Sequence, residues 1–275
     1  MRVSPFSLLP PCWRQVQQSA VLVRAAALDL AILAGHLFLY PTGIVQERRH
    51  VLAGDTPQLP TEGRSRPPVL LLHGFIDNRS VFVLLRRSLA RNGWPHVESL
   101  NYSPLTWDIR AAADILGRHV EEICARTGHR EVDIVGHSLG GLIARYYIQR
   151  LGGDRRVRVL VTLGTPHSGT TVVPPLSAHP IIRQMRPESD IINELREAAP
   201  GCRTRFISFW SDLDRLMMPV DSAQLHHPDL IAHNVRVNGV GHLALPVHPA
   251  VATGIRQALE VEEDALGASG SVSVA

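Results

Sequence analysis

The chain has 275 residues, of which 45% are hydrophobic and 19% charged, and 28 basic side chains against 25 acidic ones leave a net charge of +3. That length and mix suit one well-buried α/β domain with a remainder too short for a second, and they exclude wholesale disorder. The basic residues are all arginine, in scattered pairs such as Arg48-Arg49, Arg86-Arg87 and Arg155-Arg156. No basic run interleaved with aromatics marks a nucleic-acid face. Cys12, Cys124 and Cys202 stand far apart without CxxC spacing, which points away from a metal or redox pair. A bridge from Cys202 to Cys124 or Cys12 stays open.

Residues 1–50 read as an apolar helical segment. The stretch from Ala20 to Tyr40 is rich in Ala, Leu, Val and Ile, but it carries Arg24, Asp29 and His36 and stops at Pro41-Thr42-Gly43. A spanning helix wants about 20 consecutive apolar residues, and an Asp near its middle is expensive. A secretory signal would need a small-residue cleavage site behind the apolar run, which Gly35-His36-Leu37-Phe38 does not supply. The expectation is an uncleaved helix that packs on the domain or makes peripheral membrane contact through residues 20–40, ahead of a true anchor and a signal peptide. It favours a cell-associated protein, cytoplasmic or membrane-associated, over a secreted one. Residues 51–67, rich in Pro and Gly, read as a linker.

The catalytic domain is expected over 68–260. Val69-Leu70-Leu71-Leu72 is a continuous apolar run, as in a parallel strand covered on both faces. A helix follows from an N-cap at Ser80, with Phe82, Leu85 and Leu89 inward, and Asn92-Gly93 closes it. A strand from Val97 to Tyr102 leads to a helix from Trp107, where Ile109, Ala112, Ala113, Leu116, Val120, Ile123 and Cys124 hold the helical period until Gly128. Cys124, on that apolar face, reads as a buried thiol. Further strands are expected at Val132–Val135, Val157–Leu163, Arg205–Trp210 and Asn234–Val240, and a closing helix at Ala250–Leu259. Strand and helix alternating in this rhythm define an α/β fold with a mostly parallel central sheet and helices on both faces. Residues 170–202 interrupt it with Pro174, Pro175, Pro180 and Pro187 and one short helix from Ser189 to Leu195, so they read as a lid or cap. Their apolar residues Leu176, Ile181, Ile182, Met185, Ile191 and Ile192 would line an apolar binding groove. Residues 261–275 read as a flexible tail.

Chemistry concentrates in Val132-Asp-Ile-Val-Gly136-His137-Ser138-Leu139-Gly140-Gly141. A buried strand runs into Gly-x-Ser-x-Gly and then a helix, the arrangement that puts a serine on a turn too tight for side chains at the glycines. Ser138 needs a base and a group to orient that base. Asp214 and His242 come after late strands in the order serine, acid, histidine. Asp212 competes with Asp214 and is expected instead to cap its turn. The backbone amides of Leu139 and Phe75 are candidates for an oxyanion hole, and Phe75, Ile76, Leu176 and Ile181 for substrate contacts. His73 and His137 read as structural.

Taken with His73-Gly74, Tyr146-Tyr147, Val161-Thr-Leu-Gly164, the Ser211 to Asp214 turn and Gly239-Val-Gly-His242, the chain over 68–260 resembles the class 2 bacterial triacylglycerol lipases and esterases of the α/β-hydrolase superfamily. The resemblance implies an α/β-hydrolase fold and a carboxylic ester hydrolase acting on a lipid or small acyl-ester substrate. It also implies an acyl-serine intermediate with no metal or organic cofactor. A thioesterase or acyltransferase would use the same triad, and a catalytically silent binding protein of this fold would break it. Neither the export nor the open, lidless site of the smallest members carries over, because residues 1–65 have no counterpart there and the 170–202 segment is longer than theirs.

Overall fold

The computed structural model describes residues 23–24, 27–32, 34–35, 66–75, 79–101, 108–172, 179–260 and 273–274. Largely apolar runs between turn residues form the core strands β1 (Val69–Leu72), β3 (Val132–His137), β4 (Val157–Leu163) and β5 (Arg205–Trp210), and the mixed run Val97–Leu100 forms β2 at the sheet edge. β6 spans Ile231–Val237 rather than Asn234–Val240. Gly239, at φ 74°, turns the chain before Val240 can extend the strand. β7 (Ser273–Val274) pairs with Arg236–Val237, where the sequence predicts a loose tail. Its backbone adds to the open edge of β6, where amides and carbonyls stand ready to pair. Strand order is β2-β1-β3-β4-β5-β6-β7, and every pair is parallel.

Because successive side chains on a strand point to opposite faces, an all-apolar strand serves two cores. Leu70 and Leu72 of β1 pack with α2 (Ile109–Thr127) and α3 (Leu139–Arg150), whereas Val69 and Leu71 pack on the other face with α1 (Val83–Arg91) and α6 (Pro249–Glu260). α2 begins where Asp108 accepts the Arg110 amide at 2.8 Å and ends at left-handed Gly128. A 3₁₀ turn at Arg79–Phe82 precedes α1, in place of a helix capped directly by Ser80.

The described parts of the 170–202 segment, residues 170–172 and 179–202, are tied to the domain by hydrogen bonds. They contain α4 (Pro180–Gln184) and α5 (Asp190–Arg196), and Ile191, Ile192 and Leu195 of α5 are fully buried. The buried Arg145 of α3 donates to the carbonyls of His167 and Leu195 at 2.9 and 2.8 Å. Glu194 accepts from Tyr146 at 2.6 Å and pairs with Arg110, while Gln184 accepts the Ile109 amide at 2.8 Å. These bonds from α2 and α3 make α4 and α5 a fixed cap over one face of the sheet.

Residues 27–32 are helical, and Ile32 packs against the face covered by α1 and α6. Among the described residues no helix is long and apolar enough to cross a membrane. Cys124 and Cys202 are free thiols, which closes the option of a bridge between them. Cys12, the 51–65 linker and tail residues 261–272 lie outside the described residues.

Candidate active site

The end of β3 explains why the sequence carries three glycines around Ser138. Ser138 adopts φ 52° and ψ −118°, and among the described residues it is the non-glycine with a left-handed φ. Such a backbone costs roughly 1–3 kcal/mol and persists where neighbouring packing enforces it. A Cβ on Gly136 would stand 2.6 Å from the Gly141 Cα, and one on Gly140 would stand 2.4 Å from the Leu72 carbonyl oxygen. Strand β3, helix α3 and strand β1 thus meet backbone to backbone. The Ser138 amide donates to the Leu163 carbonyl at 2.9 Å, and the Thr165 hydroxyl donates to the Ser138 carbonyl at 3.0 Å. Leu139 opens α3, so its amide is among those with no acceptor inside the helix.

Asp214 sits in the turn after β5 and is wholly buried, and His242 comes after β6 at 4% exposure. The His242 Nδ1–H donates to Asp214 Oδ2 at 2.7 Å, while Asp214 Oδ1 accepts the Leu216 amide at 3.0 Å. Both carboxylate oxygens are therefore engaged, which orients the ring and leaves Nε2 as the nitrogen on the side away from the acid. Gly164, at φ 53°, clears space for the pair: a Cβ there would lie 2.8 Å from Asp214 Oδ2 and 3.0 Å from His242 Nδ1. Asp212 instead points outward to an exposed ion pair with Arg236 at 2.7 Å. The turn it was expected to cap is held by Ser211, whose Oγ accepts the Leu213 amide and donates to the Val240 carbonyl. Local sequence cannot show this, since both residues offer an oxygen at the start of the turn.

The His137 ring lies 4.7 Å from that of His242, and its Nε2 donates to the His242 carbonyl at 3.3 Å, so it supports the loop. His73 likewise bonds the Gly74 carbonyl at 2.8 Å. The buried His167, held against Thr162 Oγ1 at 2.9 Å, is kept neutral because burial drives its pKa well below the ordinary value, with Arg145 adding to the effect.

Ser138 and His242 open on one pocket of about 190 Å³. Its walls are Gly74, Phe75, His137, Pro166, Thr170, Val172, Ile182, Met185, Leu216, Met217 and Leu243. Phe75 stands edge-on to His179 at 4.9 Å, which fixes the ring beside the cap. Ile181, expected to contact substrate, is 1% exposed and belongs to the core beneath α4; the lining comes from Ile182, its neighbour. One residue along a helix turns the side chain by about 100°, and the phase of a helix as short as α4 cannot be read from sequence. Ile191 and Ile192 are core residues for the same reason. Ile76 and Leu176 lie outside the described residues. Thr170, Val172, Leu216 and Met217 were missed because they meet only through bonds between two loops, in which the Thr171 amide donates to the Met218 carbonyl at 2.8 Å and Thr170 Oγ1 to the Leu216 carbonyl at 2.7 Å. Among the described residues no three His, Cys, Asp or Glu side chains gather as a metal site would require.

Topology, elbow and pocket define an α/β hydrolase, and solved structures similar to it share that fold. The Bacillus licheniformis lipase BlEst2 in mature form superposes with a TM-score of 0.61 at 15% identity, covering 76% of this chain and 97% of that one. Aspergillus fumigatus lipase B gives 0.62 at 17%, covering 74% and 56%. The hydrolase MGS-MChE2 from lagoon sediments gives 0.51 at 20%, covering 73% and 96%. Residues 68–225 match the model of the palmitoyl protein thioesterase family. The chain belongs to that family of hydrolases. The match takes in Ser138 and Asp214 and stops before His242.

Proposed function

We propose that this protein is a serine hydrolase that cleaves acyl esters through an acyl-serine intermediate. The observation that carries the reading is the convergence of a strained Ser138 and an Asp214-oriented His242 on one apolar pocket. Ser138 Oγ attacks the acyl carbonyl while His242 Nε2 takes its proton, and Asp214 holds Nδ1–H and stabilises the imidazolium. The amides of Phe75 and Leu139 receive the developing oxyanion. Collapse breaks the bond to the leaving group, which departs with the proton from His242. Water activated by the same imidazole then releases the acid from Ser138. No step calls for a metal or an organic cofactor.

The pocket also speaks to the acyl group. Its walls of Phe75, Ile182, Met185 and Met217 favour hydrocarbon, and about 190 Å³ compares with the roughly 150 Å³ cavity that encloses benzene. A chain of about six carbons fills such a space. A longer one must run out over Val172 and Leu216, which are 40% and 39% exposed at the mouth. A second reading, favoured by membership of the palmitoyl protein thioesterase family, is a thioester substrate. The same steps serve it with a thiolate leaving group. The class 2 lipase likeness favours oxygen esters.

The test is a panel of p-nitrophenyl esters from C2 to C16 run beside S-acyl thioesters of matched chain length. Turnover should rise from acetyl to about C6–C8 and then level off. No hydrolysis of either series at any length would refute the reading, and the ratio of the two series decides between oxygen ester and thioester.

A further inference from the structure

The loop carrying His242 is gripped from a part of the chain 215 residues away. The Asp29 Oδ1 accepts the Ala244 amide at 3.1 Å. On the other side of His242 the carboxylate packs close to Gly241, where an added Cβ would collide with Oδ2 and Cγ. Asp29 therefore touches the chain on both sides of His242, at Gly241 and at Ala244. Its own helix is anchored by Ile32, three residues on and hence on the same face, against the core under α1 and α6. Burial pushes the Asp29 carboxyl above its usual range, opposed by the Ala244 amide and by the charge of His242. Nothing about an apolar leader or surface helix requires an acid here. Residues 27–32 also fall outside the family match at 68–225.

We propose that Asp29 is a positioning residue for His242, making the N-terminal helix a working part of the active site. The inference rests on the reading of His242 as the general base. Asp214 fixes the ring through Nδ1, but the backbone that carries the ring is held by Asp29 from one side and by His137, bonded to the His242 carbonyl, from the other. Loss of the clamp lets Nε2 drift from Ser138, and misplacement by about 1 Å can cost as much as a hundredfold in rate. Asp29 does not line the pocket, so substrate binding is untouched. Among the described residues, Asp214 from the turn after β5 and His137 from β3 lie against the imidazole, and Asp29 from the N-terminal helix lies against the backbone on either side of it and acts on its charge. Removing the Asp29 charge therefore leaves the imidazolium less favoured.

The experiment compares the full-length parent with Asp29→Asn and Asp29→Ala on p-nitrophenyl hexanoate. Rates are expressed per active site titrated by a fluorophosphonate, so loss of folded protein is not counted as loss of rate. Asp29→Ala should lower kcat about tenfold or more with KM unchanged. Asp29→Asn keeps an acceptor for the amides and should fall between the two, with the acidic limb of its pH–rate profile moved to lower pH. If Asp29→Ala folds too poorly to titrate, the near-isosteric Asn variant carries the test through that limb. A kcat per titrated site within twofold of the parent and an unmoved limb, or an effect confined to KM, would overturn the proposal. A parent that neither hydrolyses acyl substrates nor takes the label would overturn the general-base reading as well.

Discussion

Replacing Asp214 by Asn should cost far more than its size suggests, for a reason visible in the hydrogen bonds. Asp214 is fully buried, with Oδ1 accepting from the Leu216 amide at 3.0 Å and Oδ2 from His242 Nδ1–H at 2.7 Å. Asparagine offers one acceptor and one donor. A buried amide without an acceptor costs about 1–3 kcal/mol, so the Asn oxygen must stay on Leu216 and its NH₂ must face His242. The imidazole then accepts at Nδ1 and carries its proton on Nε2, the nitrogen that should take the proton of Ser138. Turnover should fall by about 10⁴, the size of the same acid-to-amide change in the trypsin-type triad, with the fold retained. Asp212→Asn removes only a half-exposed pair with Arg236. Such pairs contribute about 0–1 kcal/mol to stability, and turnover should stay within about twofold. The assay is kcat for both purified variants on one ester at one pH. An Asp214→Asn variant within tenfold of the parent, or an Asp212→Asn variant the more impaired of the two, would refute the reasoning.

The pocket and β3 supply two more expected outcomes. Met185→Trp fills the acyl space beside Ile182 and should move the optimum toward acetyl and butyryl esters, at a stability cost of about 1–3 kcal/mol; an unchanged chain-length profile would remove Met185 from the acyl wall. Burial pushes the Asp133 carboxyl up to about 6 despite its 2.7 Å pair with Arg158. Because the folded pKa lies above the unfolded value of about 3.9, the native state binds the extra proton between these values. Stability from this group is full below about pH 4 and lost as pH rises through about 6. Urea titrations should show the parent losing stability relative to Asp133→Asn from pH 4 to 7, and a gain over that range would mean Arg158 holds the carboxylate ionised.

How much of this was legible in the sequence depends on what each feature needs. Strands covered on both faces show as largely apolar runs, so β1, β3, β4 and β5 stand where Val69–Leu72, Val132–Val135, Val157–Leu163 and Arg205–Trp210 mark them. β6 is only half-buried, and its mixed composition left its start and end three residues adrift. Ser138 was legible because Gly136 and Gly140 report a backbone contact that no side chain could survive. The partition of Asp212 and Asp214 rested on the apolar residues Leu216 and Met217 next along the turn, while the physical reason, a buried Leu216 amide against an exposed Arg236, exists only in three dimensions. The pocket was least legible. Val172 and Leu216 come from loops joined by a few hydrogen bonds, and Ile181 and Ile182 differ only in helical phase. Asp29 looked like an obstacle to a membrane helix, and its partner Ala244 lies at the far end of the chain.

Intact-mass and peptide-level analysis after fluorophosphonate treatment tests most directly whether Ser138 is the nucleophile, with Ser138→Ala run in parallel on the preferred acyl substrate. The parent should take one phosphonyl group on Ser138 and lose activity in proportion. The variant should fold normally, take no label and lose on the order of 10⁶ in kcat. Label on any other residue, or hydrolysis surviving in Ser138→Ala, would contradict it.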